Sequence, residues 1–138
     1  MTTINWHDRL ANSTFSVRNL INGEFTATSG NPISKYAPHN GQLLYQFGEG
    51  SAAEVDLAVA SAREAFKDGR WRNKPVYERQ AIVNKLADLV EANREQLGLY
   101  ECLDVGKPIS AGLNDDIGRT VHQLRGAASG LDNLLLPS

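Results

Sequence analysis

The sequence predicts an α+β chain in which two short antiparallel β pairs precede three amphipathic helices. Three observations carry that prediction. Asn-Gly occurs twice, at Asn22-Gly23 and Asn40-Gly41, each time between short apolar stretches. Ser51-Ala52-Ala53-Glu54 has the spacing of a helix capping box. Beyond it, apolar residues recur every three or four positions as far as Leu135.

Residues 1–16 are polar, with Ile4, Trp6, Leu10 and Phe15 scattered among them, and have room for one short helix. Leu20-Ile21 and Phe25-Thr26-Ala27 then flank Asn22-Gly23. That dipeptide takes positive φ cheaply and closes a two-residue hairpin. A second pair runs from Ile33 to Tyr36 and from Gln42 to Phe47, joined through Pro38-His39-Asn40-Gly41. Leu43, Tyr45 and Phe47 alternate as in a half-buried strand. Neither pair would be stable alone.

In the capping box, the Ser51 and Glu54 side chains satisfy exposed N–H groups at the start of a first helix. Val55, Val59, Ala62 and Phe66 share one face of it, and Gly69 supplies the stop. After a loop from Arg70 to Lys74, Pro75 suits the first turn of a second helix. Its apolar stripe is Ile82, Leu86, Leu89, Val90, Leu97, Tyr100 and Leu103, so the sequence predicts one long helix. Gly106-Lys107-Pro108 ends it, because Gly takes the left-handed cap and Pro cannot continue. Leu113, Ile117, Val121, Leu124, Ala128, Leu131 and Leu135 predict a third helix. Gly118, Gly126 and Gly130 weaken it, each by about 1 kcal/mol against Ala. Three helices with apolar faces have little sheet to cover here, an imbalance that points to a piece of something larger.

The chain has 138 residues, enough for one domain but not for two full ones. A net charge of −2 gives no argument for nucleic acid or an anionic membrane. Arg63, Lys67, Arg70, Arg72, Lys74 and Arg79 form a local basic excess, read as a solvated turn between helices, with a binding patch as the alternative. A nucleic-acid function lacks the supporting aromatics and positive charge. The polar first fifteen residues contain no signal-peptide core. No apolar run, Leu134-Leu135-Leu136 included, approaches a membrane span. The single cysteine, Cys102, excludes an internal disulfide and fits a reducing compartment, so the expected location is cytoplasmic.

Several stretches resemble the aldehyde dehydrogenase family. Leu20-Ile21-Asn22-Gly23-Glu24-Phe25 is similar to the family's opening hairpin. Pro38-His39-Asn40-Gly41-Gln42 resembles its Asn-Pro-x-x-Gly-x turn, with Ala37 in place of the usual Asn. Glu54 to Phe66 is similar to its first long helix. The strongest likeness is Asn84-Lys85-Leu86-Ala87-Asp88-Leu89 followed by Leu99 to Pro108, which ends Glu101-Cys102-Leu103-Asp104-Val105-Gly106-Lys107-Pro108. The family writes that stretch Glu-Thr-Leu-Asp-x-Gly-Lys-Pro. Asp115-Asp116-Ile117 continues the likeness, which is marked towards aminoaldehyde-oxidising members such as the γ-glutamyl-γ-aminobutyraldehyde dehydrogenases.

The resemblance implies that residues 17–138 are the leading part of a cofactor-binding domain, truncated, with residues 1–16 as a leader. It implies a longer, homo-oligomeric enzyme in which a cysteine thiolate attacks an aldehyde and the thiohemiacetal passes hydride to NAD or NADP. Water activated by a Glu then hydrolyses the acyl-enzyme. The nucleophile, the base, the oxyanion-hole Asn and the Gly-rich cofactor turn all match positions beyond 138. No catalytic or cofactor-binding residue is therefore expected in this chain, and no cofactor on it alone. The end departs from the family: Gly126-Ala127-Ala128 stand where aromatics usually follow the Arg matching Arg125, and Leu134 to Ser138 do not resemble the lead into the oligomerisation strands.

Cys102 invites the nucleophile label, but it takes the family's Thr position late in a helix. Glu101 and Asp104 flank it, and the C-terminal end of a helix also disfavours thiolate. His7, His39 and His122 stand apart with no ligand spacing. Asp115 and Asp116 are adjacent, diverge by about 100° on a helix, and read as charge at a helix N-terminus rather than an acid–base pair. Asp104 has two readings. It pairs locally near the Gly106-Lys107 turn, or, as the resemblance implies, it joins the main-chain oxygens of Lys35 and Tyr36 around a monovalent cation. Two functions follow: an aldehyde dehydrogenase segment whose activity belongs to the full-length enzyme, or a non-catalytic module that self-associates or docks on an intact dehydrogenase.

Overall fold

The computed structural model of the chain describes residues 4–131. The Leu134 to Leu136 run, and with it Leu135 of the expected third helix, lies outside the described residues. Within them the chain forms α1 (Trp6–Ala11), β1 (Asn19–Ile21), β2 (Glu24–Thr26), β3 (Pro32–Tyr36), β4 (Leu43–Gly48), α2 (Ala52–Lys67), α3 (Val76–Ala92), α4 (Arg94–Val105) and α5 (Ile109–Ala111). A π-helical turn, Gly112–Ile117, leads from α5 into α6 (Gly118–Gly130). Two compact units result: Met1–Glu64 with Leu103–Gly106, and Ala65–Cys102 with Lys107–Ser138.

The first unit is built from turns and caps. Asn5 caps α1, its side-chain oxygen accepting from the His7 and Asp8 N–H groups. Asn22 and Gly23 both take positive φ, 53° and 83°, and set the register Ile21↔Glu24 of the first hairpin. β3 and β4 form a separate two-stranded sheet, with a register shift between Lys35 and Tyr36. Lys35 faces Tyr45 and Tyr36 faces Leu43, so Leu44 is the extra residue of a β-bulge. The bulge breaks the predicted alternation: Tyr45 and Phe47 are half-buried as expected, but Leu43 is exposed and Leu44 is half-buried. The predicted capping box forms, with Ser51 N–H donating to Glu54 Oε2 at 2.7 Å and Glu54 N–H to Ser51 Oγ at 3.3 Å.

The second unit is a helix pair with its connections. α3 packs on α6; Ala87 on the first and Val121 and Ala128 on the second are buried, small residues that let two helices approach closely. The Gln80 side chain reaches across to the Ala128 carbonyl at 3.2 Å.

Three helix expectations need correcting. The long second helix is divided at Asn93, whose side-chain amide donates to the Leu89 carbonyl at 2.8 Å and competes with the main-chain ladder. Pro75 precedes the helix as its N-cap (ψ 149°) instead of sitting in its first turn. The third helix begins at Ile109, not Leu113, because Pro108 ends the preceding turn and the chain coils again at once. Asp115 and Asp116 therefore occupy the π-helical turn within a continuing helix and are not charges at its start. Gly106 behaves as predicted: α4 stops at Val105 and Gly106 takes φ +84°.

Candidate functional site

The expected site residues Lys35 and Asp104 come together in the first unit. The bulge seats Lys35 directly across from Tyr45, and cross-strand partners share a face of the sheet. Asp104 lies in the last turn of α4, one residue before Val105 and the Gly106 cap. Tyr45 Oη donates to Asp104 Oδ1 at 2.8 Å, and Lys35 Nζ stands 3.4 Å from the same oxygen. The Tyr45 ring lies between two others, its centroid 5.2 Å from Phe15 and 6.1 Å from Phe47. The bond to Asp104, then burial and the nearby negative charge, push the Tyr45 hydroxyl pKa up, so it remains a donor.

Lys35 thus reaches Asp104 through its ammonium. Tyr36 is more than half exposed and pairs with Leu43. Ammonium offers three donors and no acceptor, and the phenol adds another donor. Two positive charges about 4 Å apart repel by about 1 kcal/mol in water and about 4 kcal/mol near a protein surface. A monovalent cation on Asp104 Oδ1 would compete with Lys35 for that oxygen. The local alternative, pairing beside the Gly106-Lys107 turn, is not what the side chains do either. Lys107 contacts Glu101 at 3.4 Å and Asp116 at 2.9 Å.

Those contacts place Asp116 beside a lysine, whose pKa they raise. Burial pushes the Cys102 thiol up as well; the carboxylates of Glu101 and Asp116 reinforce the shift against the Gly112 N–H and Lys107. A Cβ on Gly112 would lie 2.7 Å from Cys102 Sγ and 2.8 Å from the Gly98 carbonyl, so the thiol is pressed against the backbone of the π-helical turn. Nothing here activates Cys102 as a nucleophile. His7, His39 and His122 are all exposed. Among the described residues, no group of three or more His, Cys, Asp and Glu could hold a metal.

Glu54 has a larger role than its cap spacing indicates. Besides the Ser51 groups, it accepts from Ser29 Oγ at 2.9 Å and from the Asn19 amide at 3.3 Å. The Ser51 N–H and hydroxyl, then Ser29, hold its carboxyl at about 2. One carboxylate thereby ties β1, the loop after β2 and the start of α2. Half of the basic stretch is engaged: Arg70 pairs with Asp68, Lys74 with Glu78, and Arg72 stacks over Phe66.

Residues 25–136 match the model of the aldehyde dehydrogenase family. The chain belongs to that family. It is similar to the aminoacetaldehyde dehydrogenase of Pseudomonas aeruginosa, 40% identical over 118 residues that make up 85% of this chain and 24% of that protein. Indole-3-acetaldehyde dehydrogenase of P. syringae, solved in complex with NAD+ and IAA, superposes with a TM-score of 0.88 at 36% identity, covering 93% of this chain and 26% of that one. A γ-glutamyl-γ-aminobutyraldehyde dehydrogenase from Burkholderia cenocepacia gives 0.88 at 28% identity, over 92% and 26%. The chain spans about a quarter of the length of the curated relatives it matches. No helix among the described residues is long and apolar enough to cross a membrane.

Proposed function

We propose that this chain serves as the N-terminal segment of an NAD(P)-dependent aldehyde dehydrogenase that oxidises an aminoaldehyde to its carboxylate. Residues 17–138 are the leading part of the cofactor-binding domain, and residues 1–16 are a leader. The observation that carries this reading is the family match over residues 25–136, which includes the Glu101 to Pro108 stretch. NAD(P) is inferred from the family and from the NAD+-bound relative, the aminoaldehyde from two relatives named for such substrates. The segment's role is architectural: Cys102 is packed and its thiol is pushed up, and the family resemblance assigns the nucleophile, base and cofactor turn to positions beyond 138. The assembled enzyme is a cytoplasmic homo-oligomer.

The test is NAD(P)+ reduction by the product of the complete reading frame. Turnover with small aminoaldehydes exceeding that with alkyl aldehydes of equal length is expected. Reduction of NAD(P)+ by no aldehyde would remove the enzyme reading, and a preference for alkyl aldehydes would remove the aminoaldehyde.

One observation favours a second reading, a self-associating or dehydrogenase-docking module. Val55, Leu57, Val59 and Phe66 of α2, and Tyr77, Ile82, Leu86 and Leu89 of α3, are all exposed. Apolar surface on this scale marks an interaction face. Sedimentation of the 138-residue chain is expected to show association; a monomer with a sharp thermal transition contradicts both the module and the uncovered-face account.

A further inference from the structure

The last turn of α4 carries Glu101 and Asp104 and no basic residue. A helix C-terminus presents unpaired carbonyls and a partial negative charge, so it favours a cation. Lys107 answers Glu101, and Lys35 arrives at Asp104 from the opposite direction in sequence, off the bulged strand. Lys35 and Asp104 are each little more than one-third exposed, and the Tyr45 hydroxyl fixes the carboxylate from a third side.

We propose that the Lys35 ammonium is a built-in cation of this corner. It occupies the position that the Asp104 carboxylate and the helix end otherwise offer to a monovalent ion. The corner takes Na+ or K+ only when that ammonium is removed. The inference concerns ion binding and stability, and stands apart from the proposed activity.

The experiment compares thermal midpoints of the 138-residue chain in tetramethylammonium, sodium and potassium chlorides at equal ionic strength. The parent and Lys35→Arg are expected to melt alike in all three salts. Lys35→Met, which keeps the apolar stem and loses the charge, is expected to melt lower in tetramethylammonium. It should recover by roughly 5 °C in sodium or potassium at about ten times the dissociation constant. An indifferent Lys35→Met overturns the proposal. Should that variant not fold, the sodium NMR line width decides on the parent. Equal widths for parent and Asp104→Asn support the built-in cation. Broadening by the parent that Asp104→Asn abolishes shows a bound ion beside Lys35, the oxygen site of Lys35, Tyr36 and Asp104, and overturns it.

Discussion

The two units of this chain are held together by different means. In the unit containing the strand pairs, the buried apolar residues are Ala37 and Leu103, and the connections are polar. Glu54 gathers Ser51, Ser29 and Asn19; Thr28 accepts from the Gly48 N–H at 2.7 Å; Asp104 gathers Tyr45 and Lys35. The helical unit buries Ala87, Leu99, Val121 and Ala128, and its cross-helix ion pair, Arg125 with Asp88, lies at the surface. Short strands bury too little to cohere by packing, so directional bonds to caps and turns take over. The paired helices meet through small buried residues and need fewer such bonds.

That difference predicts the largest effect for Leu99→Ala. Leu99 is 7% exposed, and truncating a buried leucine costs about 2–5 kcal/mol through lost transfer energy and the cavity left behind. Leu20→Ala in the first hairpin removes the same atoms from a side chain that is 62% exposed, and should cost no more than about 0.5 kcal/mol. Urea denaturation of both variants measures the contrast. Equal losses would mean that the hairpin is packed after all.

A middle-sized effect is expected at the Gly106 turn. Gly106 has φ +84°, and a Cβ there would meet Pro38 Cβ at 3.1 Å. Gly106→Val should cost about 1–3 kcal/mol, since a β-branched residue is strained in that region. Gly118→Ala adds a Cβ whose nearest neighbour beyond its own helical turn is a main-chain oxygen, Leu113 O at 3.8 Å, in ordinary contact. It should be neutral or stabilise by up to about 1 kcal/mol. A more damaging Gly118→Ala would misplace the helix boundaries and the Asp104 corner with them.

What the sequence made legible was local. Asn22-Gly23, the Ser51–Glu54 box and the Gly106 cap act through neighbouring dihedrals and N–H groups, and all three form where expected. The break at Asn93 was hidden because apolar periodicity continues across it, while the interruption comes from one side-chain amide. The π-helical turn was hidden for a related reason: a single wider turn barely disturbs a three- and four-residue pattern. At the candidate site, Asp104 and Lys35 were both identifiable, Lys35 for its main-chain oxygen and not its ammonium, while Tyr45 was not. Tyr45 lies 59 residues away, and only the bulge decides that it and Lys35 face the same carboxylate. Ser29 and Asn19 at Glu54 were equally out of reach of spacing arguments.

The smallest effect separates the units by pH. The Glu54 carboxyl is held at about 2 in the folded chain against an ordinary value of 4.5. Its contribution is therefore present above about 4.5 and is lost as the pH falls towards about 2. Glu54 is only half-buried, so solvent still screens the effect and the loss is modest. Amide exchange in the strand-pair unit should accelerate over that window in the parent, with a flatter dependence in Glu54→Gln. Identical profiles would leave Glu54 as an ordinary surface carboxylate.

The central claim is that these residues carry the architecture of an aldehyde dehydrogenase and none of its chemistry. Its most direct test is NAD(P)H formation by the purified 138-residue chain and by Cys102→Ala, each supplied with NAD(P)+ and an aminoaldehyde. The account predicts no formation above the protein-free rate in either sample. Turnover by the parent that disappears in Cys102→Ala would make Cys102 a nucleophile and contradict it.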